Sequence, residues 1–288
     1  MMIFYLRMVF IFLLSCPLFA GQDSIVLLAE KNSPALNNLY KNLKSLKPDF
    51  NYVISTKKTP AIIKADDLVI LVGAKVPDYV DLNSHKKSMA VLVTEQQGKQ
   101  LQDQVQTSIW LEPPLSRQLT LANLVIPGDK KIGFLVNGEE NKRQQLSRLS
   151  STQKAMLKVV DLNDYENINQ ALFHVLKDTR LLLGGYERDI YNAKTIKNIL
   201  ITSYRQQKVL IGPSGAYLKA GSFATTFSDL NQVALRIVDV IDHYHSSANW
   251  LKPDYNPYYR IVFNQQVARS LNIQMMDGDL LEQRMREQ

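Results

Sequence analysis

Between residues 25 and 263 the chain alternates short, unbroken apolar runs with stretches whose apolar residues recur every three or four positions. Runs such as Leu68-Val69-Ile70-Leu71-Val72 and Leu181-Leu182-Leu183 show no polar alternation. A strand of that kind has no solvent-facing side, so it belongs in a parallel sheet with helices on both faces. The first series of runs covers residues 25–29, 52–55, 68–72, 89–94 and 108–111, and the second covers 132–137, 155–162, 181–184 and 209–212. Helical patterns fall between them. One at 33–46, opened by Ser33 as N-cap and Pro34 in the first turn, carries Leu36, Leu39, Tyr40, Leu43 and Leu46 on one face. Pro113-Pro114 break the chain between the two series, and Pro127-Gly128 stop a helix expected at 115–125. Two successive series, each about 100 residues long, predict an α/β fold of two doubly wound Rossmann-like lobes.

The C-terminal part departs from this rhythm. A β-like run at 222–227 feeds a long helix at 229–244, and then comes a crossing rich in proline and tyrosine (Pro253, Asp254, Tyr255, Asn256, Pro257). A strand at 260–263 and a helix beginning at Asn264 close the series. A chain that ends helix, crossing, strand, helix after a run of αβ units has passed between two lobes.

The 34 Lys+Arg against 27 Asp+Glu give a net charge of +7 and a pI near 9.3. The basic residues are scattered pairs (Lys57-Lys58, Lys86-Lys87, Lys130-Lys131) among acidic ones, a solvated surface rather than the concentrated basic face of a nucleic-acid binder. The first twenty residues read as a secretory signal: Arg7, an apolar run from Met8 to Leu14, then Ser15, Cys16, Pro17, Ala20 and Gly21. The run is too short for a spanning helix, which needs about 20 residues. Leu13-Leu14-Ser15-Cys16 resembles the lipobox of bacterial lipoproteins, so a lipid anchor at Cys16 is the one expected membrane attachment; Pro17-Leu18-Phe19, in place of a polar tether, favours soluble export to the periplasm. Cleavage after Ala20 removes the only cysteine and with it any disulfide or thiol chemistry.

No strand-to-helix turn carries a GxGxxG or P-loop pattern, and Gly212-Pro213-Ser214-Gly215 lacks the spacing of a nucleophile elbow. His85, His174, His243 and His245 form no ligand or nucleophile–base set; His243 and His245 face different sides of a helix. The expectation is a non-enzyme with no cofactor and no metal. In doubly wound sheets ligands sit beyond the C-terminal ends of the strands. Those ends are residues 30–33, 73–76 and 94–97 in the first series and 137–141, 185–189 and 212–217 in the second. There Arg188 can pair a ligand carboxylate, and Tyr186 or Tyr191 can stack on an apolar part. Residues 137–141 open a helix N-terminus suited to a carboxylate, although Glu139 and Glu140 oppose an anion there.

From Ile126 onward the sequence resembles the bacterial ABC-type solute-binding proteins of the tryptophan/tyrosine-binding sort. Three stretches carry the resemblance: Ile126-Pro127-Gly128-Asp129-Lys130-Lys131-Ile132-Gly133-Phe134-Leu135-Val136-Asn137, Ala220-Gly221-Ser222-Phe223-Ala224-Thr225-Thr226-Phe227, and the closing strand and helix at 261–273. The resemblance, from Ile126 onward, covers about three-fifths of the chain; in the first series the likeness is one of topology. The resemblance implies a type I periplasmic-binding-protein fold, two lobes joined by a three-segment hinge, with a small solute clamped between them and presented to an inner-membrane ABC permease. It places the signal at 1–20, the N-terminal lobe at 22–113 plus 226–256, the C-terminal lobe at 114–225 plus 257–276 and a tail at 277–288. Ligand contacts are then expected from Gly73, Ala74 and Thr94 of the first lobe, and from Asn137, Glu187, Arg188 and Thr225 of the second lobe or hinge. Two departures bear on specificity. A Pro-x-Asp-Asn turn of the family is here Gly185-Tyr186-Glu187-Arg188, and the Ala/Thr/Pro-rich ligand loop is Gly73-Ala74-Lys75-Val76-Pro77. They leave an amino-acid-like solute as one expectation and a periplasmic sensory or interaction protein with a degenerate cleft as the alternative.

Overall fold

The computed structural model describes residues 24–286. The expected signal segment, and Cys16 within it, lie outside the described residues. The chain runs β1 (Ser24–Ala29), α1 (Pro34–Leu46), β2 (Asn51–Thr56), β3 (Leu68–Val72), β4 (Ser88–Val93), α2 (Glu95–Gln100) and β5 (Thr107–Trp110). It continues through α3 (Leu115–Val125), β6 (Lys131–Val136), α4 (Glu139–Leu146), α5 (Ser151–Ala155), β7 (Leu157–Asp161), α6 (Ile168–Lys177), β8 (Thr179–Leu183), α7 (Ile196–Arg205), β9 (Leu210–Ile211), α8 (Gly215–Ala220) and β10 (Ala224–Phe227). It closes with α9 (Leu230–Ser247), β11 (Asp254–Tyr255), β12 (Arg260–Phe263), α10 (Gln265–Ser270) and α11 (Gly278–Arg286).

Two six-stranded sheets result, in the orders β11-β5-β4-β3-β1-β2 and β12-β10-β9-β8-β6-β7. Every pairing is parallel except that of β12 with β10. The unbroken apolar runs are the central strands: residues 25–28 and 68–71 are buried throughout, as a strand covered on both faces requires. On one face of the first sheet, Leu36, Leu39 and Leu43 of α1 pack with Val233, Ala234, Ile237, Val240 and Ile241 of α9. Both stripes recur every three or four residues, so each helix turns one side to the sheet. Local chemistry starts these helices. Ser33 Oγ accepts the Leu36 amide at 3.2 Å, and Asp229 and Gln232 form a capping box at the head of α9. The other face is covered by Leu82, Leu101 and Val105 around Trp110. The second sheet is sandwiched between α3, α10 and α11 on one side and α6 and α7 on the other.

The chain passes between the lobes three times: after β5, after β10 and after β11. Two expectations need correction. Residues 226–227, expected in the first lobe, belong to the second, because β10 pairs with β9 and β12 inside the second sheet and the crossing follows at 228–229. Residues 277–286, placed in the expected tail, are not loose. Asp277 caps α11, whose Leu281 and Met285 enter the second-lobe core, and Glu282 accepts the Ile261 amide at 2.7 Å on β12, the outermost strand of its sheet.

Candidate functional site

A cleft of about 800 Å³ opens between the lobes. It lies at the C-terminal ends of β4, β5 and β11 on the first-lobe side and of β8 on the second. Pro113 and Pro114 of the first crossing lie at its base, and α4 supplies Gln144 and Gln145 to the wall. A bulge aims the first-lobe side: Leu92 sits at φ 57°, and the β4–β5 register slips between Val91 and Val93. The slip turns the end of β4 toward the cleft, so that Thr94 caps α2 and Glu95 follows at its start.

Glu95 gathers charge from both lobes. Its Oε1 accepts from Lys99 at 2.8 Å and from Arg148 of the second lobe at 3.0 Å; its Oε2 accepts the Tyr255 hydroxyl at 2.6 Å. The Arg148 guanidinium also lies 4.8 Å from the Trp110 ring centre and 5.1 Å from that of Tyr255, with Asp254 at 3.8 Å. Trp110 is held in turn, its Nε1 donating to Ser108 Oγ at 2.9 Å. Burial opposes the charge on Glu95, but the bonds from Lys99 and Tyr255 and the Arg148 charge outweigh it and hold the carboxyl below its usual range. Burial pushes the Tyr255 hydroxyl up, reinforced by its bond to Glu95.

Two further carboxylates behave in the opposite way. Glu112, at the end of β5, is only 9% exposed; burial, with Glu95 adding repulsion, pushes its carboxyl up to about 7. Glu187, after β8, is also pushed up to about 7 by burial, against the bonds it accepts from the Asn137 amide at 2.7 Å and from Gln145. The Gly138 amide is likewise taken, by Asp161 at 2.9 Å. Residues 137–138 therefore spend their amides on the protein's own carboxylates, which removes the anion site that a helix N-terminus there would offer.

Of the residues expected from sequence, Thr94, Glu187 and Arg188 come together on the cleft wall. The others lie elsewhere. Gly73, at φ 96°, and Ala74 sit at the end of β3, where Lys75 pairs with Glu30 across the neighbouring loop. Asn137 is behind the wall, holding Glu187. Thr225 is fully buried in β10, its hydroxyl donating to the Gly212 carbonyl at 2.7 Å beside Gln118. Glu95 lies in the strand end 94–97 that sequence marked, and Tyr255 in the expected crossing, but neither was expected as a contact; Glu112, Gln145 and Arg148 escaped sequence reasoning, although Glu112 directly precedes the Pro113-Pro114 break that marked a crossing. Among the described residues no group of His, Cys, Asp or Glu could hold a metal ion, and no helix is long and apolar enough to cross a membrane.

Compared by sequence, the chain matches no protein-family model and no curated protein. Compared by structure, it resembles many solved chains over most of its length, three of which follow. The ligand-free, open form of a substrate binding protein with adhesive properties from Clostridium difficile aligns with a TM-score of 0.64 at 13% identity, covering 88% of this chain and 96% of that one. An ABC domain in complex with L-Trp from Streptococcus pneumonia aligns at 0.52 and 16% identity, covering 91% and 98%. A conserved domain protein from Vibrio cholerae aligns at 0.51 and 15%, covering 89% and 96%. The chain has the two-lobed, type I periplasmic-binding-protein fold.

Proposed function

We propose that this chain is the exported, substrate-binding component of an ABC-type transport system, a non-enzyme that closes on a small, amino-acid-like solute in the periplasm and presents it to an inner-membrane permease. The observation that carries this reading is the cleft, whose walls come from both lobes and whose base is a crossing. Its volume of about 800 Å³ falls within the range of about 300–1,000 Å³ usual for small-molecule sites. Hinge closure about the three crossings is the motion such a layout permits. A cleft with room for a small solute and charged and aromatic groups on both walls favours this over a degenerate-cleft sensory or interaction protein. The neighbour solved with L-Trp makes amino acids a natural first set to try.

A ligand that binds only the folded state stabilises it, by about 2.7 kcal/mol at a hundredfold excess over Kd. A thermal-shift screen of the full chain against amino acids, amines, sugars and small organic acids should therefore yield at least one saturable rise in melting temperature. No rise with any compound, across repeated preparations, would overturn the reading.

A further inference from the structure

A second recess, of about 370 Å³, adjoins the cleft at the crossings. It shares Pro114, Ser116, Arg117 and Pro257 with the cleft and adds Thr120, Tyr259 and Arg286. Ser116, Arg117 and Thr120 stand three and four positions apart on α3, so one side of that helix presents all three. Tyr259 comes from the end of the third crossing and Arg286 from the end of α11.

The charge in this recess is one-sided. The Arg117 guanidinium carbon lies 4.1 Å from the Tyr259 ring centre and that of Arg286 lies 5.9 Å from it, which puts the two within about 10 Å of each other. Tyr259 is buried, and its ring face attracts both cations without using any of their N–H groups. Arg117 donates to the Asn256 carbonyl at 2.8 Å and has no carboxylate partner among the described residues. Arg286 reaches Glu282 only at 4.0 Å, and the other oxygen of that carboxylate is taken by the Ile261 amide. The Ser116 and Thr120 hydroxyls have no hydrogen-bond partner among the described residues. Like charges held this close repel. An oxyanion between them removes the repulsion and accepts from both, because the flat guanidinium fork matches the oxygens of phosphate and carboxylate. A molecule with two or more anionic groups serves both guanidiniums at once.

We propose that this recess is a second binding site, separate from the cleft, for a small polyvalent oxyanion of the pyrophosphate or tricarboxylate kind. Arg117 and Arg286 hold the anion, and Ser116 and Thr120 donate to it. The site stands whatever solute the cleft takes. Its place also gives the anion a grip on the hinge. Asn256, whose carbonyl Arg117 holds, donates to the Gln232 carbonyl of α9 at 3.1 Å, and Ser228 of the second crossing donates to the Tyr258 carbonyl at 2.6 Å. The crossings are thus tied together beside the recess, where the molecule must flex when the lobes move.

Titration calorimetry on the full chain at pH 7.5, with ionic strength held constant by sodium chloride, tests this with pyrophosphate, citrate and acetate. At least one of the two polyvalent anions should bind saturably, one per chain, and acetate at least about tenfold more weakly. Arg286→Ala, at an exposed position, and Arg117→Gln should each weaken that binding by at least about tenfold. Arg188→Ala, which removes a guanidinium of the cleft wall, should leave it unchanged. Circular dichroism checks that each variant folds; if Arg117→Gln does not, Arg286→Ala decides. Binding lost in Arg188→Ala but kept in Arg286→Ala assigns the anion to the cleft and overturns the site. Acetate bound as tightly as the polyvalent anions overturns it too, as does the absence of saturable binding by either of them.

Discussion

At the scale of single residues, the cleft carboxylates set how the chain responds to pH. The folded Glu112 carboxyl titrates at about 7, above its ordinary 4.5, so between those values the folded chain holds a proton that the unfolded chain has released. Stability therefore falls as pH rises through that window, and Glu187 adds a slope of the same sign. Glu112→Gln is neutral at every pH and escapes its share. Urea unfolding of the ligand-free chain should find this variant more stable than wild type at pH 8, by on the order of 2 kcal/mol, and about equal to it at pH 4.5. A variant no more stable at pH 8 would mean that Glu112 carries no such burden. A site that weakens its own scaffold at neutral pH is a common mark of function, because the residue best placed for a ligand is poorly placed for the empty fold.

At the scale of elements, the strands other than β11, which sequence read as part of a crossing, and the long helices were legible, and the last helix was not. An unbroken run such as Leu68-Val69-Ile70-Leu71-Val72 announces a doubly covered strand by itself, and it is β3 residue for residue. Helix α11 has only Leu280, Leu281 and Met285 as apolar residues among six polar or glycine ones, too weak a stripe to read. Its docking depends on Ile261 and the face of α3, neither of which is near in sequence. Leu281 is fully buried there, so Leu281→Ala should cost about 2–5 kcal/mol in urea unfolding; a cost well below 1 kcal/mol would mark α11 as the tail first expected. The site divides in the same way. The end of β8 was visible as a strand end, hence Glu187 and Arg188. Which strand ends of the first lobe face the second was not visible. Gly73 and Ala74 end a strand as convincingly as Thr94 does, but the cleft lies over β4 and β5. Arg148 sits in a polar stretch with no periodic signal, and its partners come from three distant segments.

At the scale of the whole molecule, Arg148 is the clearest bridge between the lobes. It pairs with Glu95, lies against Trp110 and Tyr255, and is itself about half exposed (47%) while Glu95 is shielded (13%). Solvent discounts the ion pair to at most about 1 kcal/mol, and the ring contacts add roughly 0.5–1 kcal/mol each. Arg148→Ala should thus shift the ligand-free chain toward the open form by about tenfold, read as a longer inter-lobe distance by fluorescence energy transfer. An unchanged distance distribution would leave the bridge without consequence for closure. The three crossings have a further effect, on the order in which the chain can fold. The first sheet waits for α9 and β11, which lie beyond residue 229, and the second waits for β12 and α11, the last elements described. Neither core can close on a nascent chain until most of the sequence has been made. Such long-range pairing slows folding. Until the C-terminal sixty residues or so arrive, β5 is without its β11 neighbour, and the sheet face that α9 will cover stays exposed to chaperones and to aggregation.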